Sequence, residues 1–180
     1  MGVGKDFKLF CDNLTVNNRS DISYRYAEIT QRLNTDFWLS NSKTNHSLYV
    51  GSYGRGTARR GFSDLDMILI LPNSLYNRYD KYTYKGQSAL LQAVKNSIKN
   101  RYPRTNVRGD GQVVVVPFSD GMRFEVVPVF ENTDSSFTYP DSNGGGKWKI
   151  TNPRPEIASI KNNNILTKSN LVNLCRMTRA

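Results

Sequence analysis

A chain of 180 residues with 25 lysines and arginines, 15 aspartates and glutamates and one histidine carries a formal charge of +10. The length suits one domain that can bury a core without staples, and the two cysteines, Cys11 and Cys175, form no CxxC pair, which argues against a zinc ribbon or a disulfide framework. His46 alone cannot supply a Ser-His-Asp triad or a histidine-rich metal site, so any chemistry falls to carboxylates.

In chain order, a short helix is expected over Lys5–Asn13. A longer one follows from Ser20 as N-cap, because Ile22, Tyr26, Ile29 and Leu33 recur at helical spacing. Residues 41–45 read as a loop, and Ser47–Val50 as a short strand that enters a glycine-rich segment. Leu65–Leu71 reads as a buried strand stopped by Pro72, and 73–85 as an irregular or partly helical crossover packed by its tyrosines. Leu90, Leu91, Val94 and Ile98 mark one face of a second long helix that ends before Pro103. Three strands, Asn106–Arg108, Gln112–Phe118 and Arg123–Phe130, are separated by turn signals at 109–111 and 119–121, which predicts an antiparallel meander. The order of elements predicts an α+β domain: a mixed or antiparallel sheet with helices on one side.

After Glu131 the glycine- and proline-rich text TYPDSNGGGKWKITNPRP reads as one long loop. Pro155 can start a helix, and Asn170–Arg179 another with an apolar face. That last helix stops in mid-pattern, so the chain reads as a catalytic core over 1–154 followed by the start of a truncated helical lobe over 155–180. The longest apolar run, Met67–Pro72, falls far short of the ~20 residues of a membrane span, and a cytoplasmic protein is expected. From Ser142 onward there are seven lysines and arginines against the single acid Glu156. That excess suits a polyanionic partner or simply a solubilising surface.

The densest chemical signal is YVGSYGRGTARRGFSDLDMILILP, residues 49–72. Gly51-Ser52 after a strand lets the backbone turn sharply and present amides and a hydroxyl to a phosphate. The segment is neither a Walker A loop nor a dinucleotide fingerprint. Asp64 and Asp66 sit at i and i+2 of an extended chain and so share a face. On an apolar strand two such acids need a shared cation or an arginine partner, for which Arg59 and Arg60 are available. Glu125, inside another apolar strand, favours the cation, a rim position or an arginine partner being its alternatives: if the two strands are neighbours, three carboxylates converge and can hold two divalent ions.

These residues resemble the nucleotidyltransferase superfamily of polymerase-β type: GS, about a dozen residues, D-hydrophobic-D, then a third acid on a later strand. The fuller text, with GQSALLQAVKNSI, FEVVPVF, YPDSNGGGKWKITNPRPEI and LCRMTRA, is similar to the bacterial cyclic-oligonucleotide synthases related to cyclic GMP–AMP synthase, the SMODS-type enzymes (CD-NTases) of antiphage signalling. The resemblance implies a polymerase-β-like core that joins nucleoside triphosphates into a cyclic di- or trinucleotide and releases pyrophosphate. It further implies catalytic and metal-holding roles for Asp64, Asp66 and Glu125 with two Mg2+ ions, Mn2+ being the alternative. Nucleotide binding falls to Gly51, Ser52 and Arg55. Where the family commonly has Asp as the third acid, this chain has Glu125. Family members continue past the LCRM-like helix into a lobe that clamps the nucleotide, and that lobe is nearly absent here. Implied partners are the triphosphates, the missing lobe, and effector or regulatory proteins of an antiphage operon, with neither a membrane nor a nucleic acid required. Tyr139 and Trp148 are either ligand contacts or packing anchors. Two other readings stay open: a nucleotidyltransferase that modifies RNA, protein or a small molecule, and a catalytically silent, basic nucleic-acid-binding module.

Overall fold

The computed structural model describes residues 3–61 and 64–179. Helix α1 (Val3–Asn13) precedes α2 (Arg19–Trp38), whose Ile22, Ile29 and Leu33 are buried as their spacing predicts. Ser20 does not cap this helix: the turn begins one residue earlier, with Asn18 at the cap position and no bond from its side chain to the helix. Strand β1 (Ser47–Tyr49) leads through the one-turn helix α3 (Gly51–Gly54) toward β2 (Leu65–Ile70). The crossover that follows is more regular than expected. It holds α4 (Asn73–Asp80), then α5 (Gly86–Arg101). Tyr79 is buried and Tyr76 packs its ring on Phe130, whereas Tyr82 and Tyr84 are exposed.

The three predicted strands are β3 (Arg108–Asp110), β4 (Val113–Pro117) and β5 (Arg123–Glu131), and they form the expected antiparallel meander. The first lies two residues later than predicted, because Asp110 pairs with Val113 across a two-residue turn in which Gly111 takes a φ of 60°. The expected loop after Glu131 is instead a hairpin of β6 (Phe137–Asp141) and β7 (Lys147–Thr151) that extends the sheet from β5. Three successive glycines at positive φ, Gly144, Gly145 and Gly146, make its tip. A glycine run and three prolines hide strand propensity in that stretch of sequence, yet Pro140 pairs with Trp148 within the ladder. Buried Asp141 closes the tip: its carboxylate accepts from the Asn143 backbone and side-chain amides and pairs with Lys149 at 2.7 Å.

The sheet order is β1-β2-β5-β4-β3, with β6 and β7 continuing from β5. All neighbours are antiparallel except β2 and β5, which run parallel. Alternate residues of β2 therefore serve two cores. Leu65, Met67 and Leu69 join Ile29 and Leu33 of α2 and Leu90, Val94 and Ile98 of α5. Ile68 points the other way, into a smaller cluster with Val50, Val129, Phe137 and Ile157. Ile157 belongs to α6 (Arg154–Leu166), which carries Pro155 near its start and precedes α7 (Asn170–Met177). Helices thus cover both faces of the sheet, not one as the sequence suggested. Trp148 is a packing anchor: its ring lies against Tyr76 and Phe130 and its Nε1 donates to Asp80. Among the described residues no helix is long and apolar enough to cross a membrane.

The partners of Asp141 hold its pKa down at about 2, the hydrogen bond from Lys149 contributing most. A depressed carboxylate stabilises the fold above its ordinary pKa, and that contribution is lost as pH falls through the folded value. Asp141→Asn should therefore lower the urea midpoint at neutral pH, and the difference from wild type should fade between about pH 4 and pH 2.

Candidate active site

β1 ends at Tyr49, and the chain must turn at once to begin α3. Gly51 makes the turn with a φ of 56°, and a Cβ built there would stand 1.8 Å from Oδ2 of Asp66. The absence of a side chain at Gly51 is what admits the Asp66 carboxylate against the corner. The backbone fastens the same corner, since the Val50 amide donates to the Asp66 carbonyl at 3.0 Å. The GS turn and the second acid of the DxD pair, separated in sequence, are thereby held side by side. The amides of Gly51, Ser52 and Tyr53 open the helical turn and have no carbonyl a turn earlier to accept from them.

After α3 the chain folds back over the turn. The Ser52 carbonyl accepts the amides of Thr57 and Ala58 at 2.8 and 3.0 Å. Arg176 of α7 then straps the loop down: its Nη2 donates to the Gly56 carbonyl at 2.9 Å and its Nε to that of Ala58 at 3.2 Å. Burial lowers the pKa of this guanidinium. Arg55 pairs with Glu156 of α6 at 3.1 Å. The Arg60 amide donates to the Leu14 carbonyl, tying the approach to Asp64 onto the end of α1.

The two strands that carry the acids are neighbours, and their register is Leu65 with Phe124 and Asp66 with Glu125. Paired residues of parallel strands project to the same side, so Asp66 and Glu125 share the face of Ile68 and Val129 rather than that of the larger core. Asp64 lies just before β2, two residues from Asp66 and half-exposed. Burial raises the pKa of Asp66, and the neighbouring Asp64 charge adds to the effect, against the pull of Arg55. Burial also raises Glu125, with Asp64 and Asp66 adding to it and Arg123 opposing it.

Arg123 is the cation that the sequence reading missed. Two residues before Glu125 on β5, it stands 2.5 Å from Glu125 through Nη2 and 3.7 Å from Asp64 through Nε. The signal was available, since residues i and i+2 of a strand share a face and opposite charges there pair. With the guanidinium among them, the acids do not stand at metal-ligand spacing: among the described residues no group of three or more His, Cys, Asp and Glu side chains does. The donor set nonetheless fits a hard divalent cation. Its groups are carboxylate oxygens, two of them with pKa values raised by burial and mutual repulsion, and a guanidinium already stands in as the positive charge between two of them. Tyr139 lies on β6 against the smaller cluster.

Two substitutions probe this arrangement. Gly51→Ala should cost about 1–2 kcal/mol or more in denaturant unfolding, because alanine resists positive φ and its Cβ collides with Asp66. Asp66→Asn should act in the opposite direction in metal-free protein. A carboxylate whose folded pKa is raised weighs against folding when charged, so this variant should melt higher than wild type at pH 7. The gain should vanish below the ordinary value of 3.8.

The family model described as Second Messenger Oligonucleotide or Dinucleotide Synthetase domain matches residues 1–164. Among solved structures the fold is similar to Elizabethkingia meningoseptica CdnE cyclic dinucleotide synthase with GTP and Apcpp, at a TM-score of 0.70 and 16% identity over 99% of this chain and 65% of that one. It is also similar to E. coli MS115-1 CdnC with ATP, at 0.66 and 19% over 97% and 56%. A third likeness is to Rhodothermus marinus CdnE c-UMP-AMP synthase with Apcpp and Upnpp, at 0.64 and 15% over 94% and 63%. The chain spans 56% to 65% of the length of these three. No curated protein matches it.

Proposed function

The chain belongs to the family of second messenger oligonucleotide or dinucleotide synthetase domains, and on that premise we propose that it is the catalytic part of a nucleotidyltransferase that makes a cyclic di- or trinucleotide from nucleoside triphosphates. Residues 1–154 form the nucleotidyltransferase core in this reading, and 155–180 begin a helical lobe. The observation that carries it is the registered pair Asp66 and Glu125 set beside the Gly51-Ser52 turn. A phosphate-binding corner and paired carboxylates within reach of each other are what an attack on an α-phosphate requires.

The amides of Gly51, Ser52 and Tyr53, with the Ser52 hydroxyl, hold the donor triphosphate, and Arg55 beside the same turn adds positive charge. Asp64, Asp66 and Glu125 hold the divalent ions, two Mg2+ with Mn2+ as the alternative. When bound, these ions neutralise the departing pyrophosphate and favour ionisation of the attacking hydroxyl. Glu125 orients that hydroxyl, which belongs to a second nucleotide, and accepts its proton. The hydroxyl oxygen bonds to the α-phosphorus as the bond from that phosphorus to the pyrophosphate oxygen breaks. A second such step between the joined nucleotides closes the ring. The surplus of ten positive charges suits triphosphate capture.

In this reading the product acts as a second messenger of bacterial antiphage defence, made in the cytoplasm and answered by effector proteins encoded nearby. A relative of similar fold, E. coli MS115-1 CdnC, has been solved as a complex with HORMA. The test is incubation of the enzyme with Mg2+ and the four NTPs and no other acceptor, with mass spectrometry of the phosphatase-resistant products. Asp66→Asn should reduce that product at least about 100-fold. Retained turnover would overturn the assignment of the acids, and product formed only when RNA, protein or a small molecule is added would replace the cyclising reaction with transfer to that acceptor.

A further inference from the structure

The position of Arg123 has a physical oddity. A guanidinium presents a planar fork that prefers two parallel bonds to one carboxylate. Here it divides itself between acids from two segments, with Nη2 on Glu125 and Nε 3.7 Å from Asp64. At that distance Nε attracts Asp64 but makes no hydrogen bond with it, and the same Nε is buried without an acceptor. One hydrogen bond, from Nη2 to Glu125, holds the side chain there, and charge alone draws it toward Asp64. Such a group neutralises both neighbours but is hydrogen-bonded to only one of them, and a cation that coordinates both can displace it.

The oxygens it engages are two of the three carboxylates assigned above to the divalent ions. A guanidinium and a divalent ion cannot both occupy that space, because like charges at such separations repel strongly in a half-buried site. We propose that Arg123 is an internal competitor for the metal: it balances Asp64 and Glu125 in the metal-free protein and must swing out before a divalent ion can bind. This rests on the reading of Asp64, Asp66 and Glu125 as the metal-holding acids. The displaced guanidinium then needs an anionic partner, and a bound triphosphate supplies one, since arginine and phosphate pair well. Metal without nucleotide binds against the arginine, whereas metal with nucleotide binds with the arginine re-partnered. Arg123 thereby makes loading of the ion depend on the substrate.

Calorimetric titration of Mg2+ and Mn2+ into wild type, Arg123→Gln, Arg123→Met and Asp66→Asn tests this, with and without an ATP analogue that cannot be cleaved between the α- and β-phosphorus. Without nucleotide, the two uncharged Arg123 variants should bind metal roughly tenfold more tightly than wild type, or about 1.4 kcal/mol. With the analogue present the gap should narrow. If these variants bind no more tightly while Asp66→Asn still loses the metal, the competitor role is overturned and the metal assignment stands. If Asp66→Asn binds metal as wild type does, the site assignment falls and this inference falls with it. Wild type offers a measurement independent of any variant's folding. The Arg123 Nε–Hε resonance should shift as the guanidinium exchanges its carboxylate neighbours for phosphate when Mg2+ and the analogue saturate the protein, and an unchanged resonance at saturation overturns the proposal.

Discussion

Six consecutive pairs join β2 to β5, from Leu65 with Phe124 to Ile70 with Val129, and among the described residues this is the one parallel contact in an otherwise antiparallel sheet. Because side chains alternate, the same six pairs decide two matters at once. They deliver Leu65, Met67, Phe124 and Val126 to the larger core, and they set Asp66 beside Glu125 on the opposite face. A slip of one residue would place acids in the core and apolar residues at the site. Burial of the core residues, worth about 1.5–3 kcal/mol for each large side chain, therefore also keeps the carboxylates in register. The site inherits its alignment from packing and needs no bond between the acids, which repel one another.

That repulsion shapes the surroundings. Gly51 lends the corner its close approach to Asp66, and burial on that face strips water from both paired acids. A cluster of this kind is stable only with positive charge nearby. The protein supplies it from several places in the chain: Arg123 from β5 between Asp64 and Glu125, and Arg55 from the end of the GS turn. Arg55 is in turn steadied by Glu156 of α6, so the helices after the sheet take part in the charge balance of its edge.

The sequence made the pairing of Asp66 with Glu125 legible because a period of two is a strict rule, although Asp64 lies just before β2 rather than on it. It showed the long helices for a similar reason, Ile22, Ile29 and Leu33 in one and Leu90, Val94 and Ile98 in the other standing at helical spacing. The β6–β7 hairpin was illegible because its pairing depends on partners across the Gly144–Gly146 tip, while its local composition is that of a loop. The coverage of both faces rested on Ile157 meeting Ile68 and Val129, a contact between distant parts of the chain that no local pattern announces. Arg123 was legible and overlooked, being an i, i+2 partner of Glu125. Arg176 was not, because its acceptors are backbone carbonyls more than a hundred residues away.

The bonds of Arg176 to the Gly56 and Ala58 carbonyls have a mechanical meaning. They attach α7 to the segment that leaves the GS turn and runs toward Asp64, so the two behave as a lever and its load. A tilt of α7 pulls on that segment directly, without passing through the sheet.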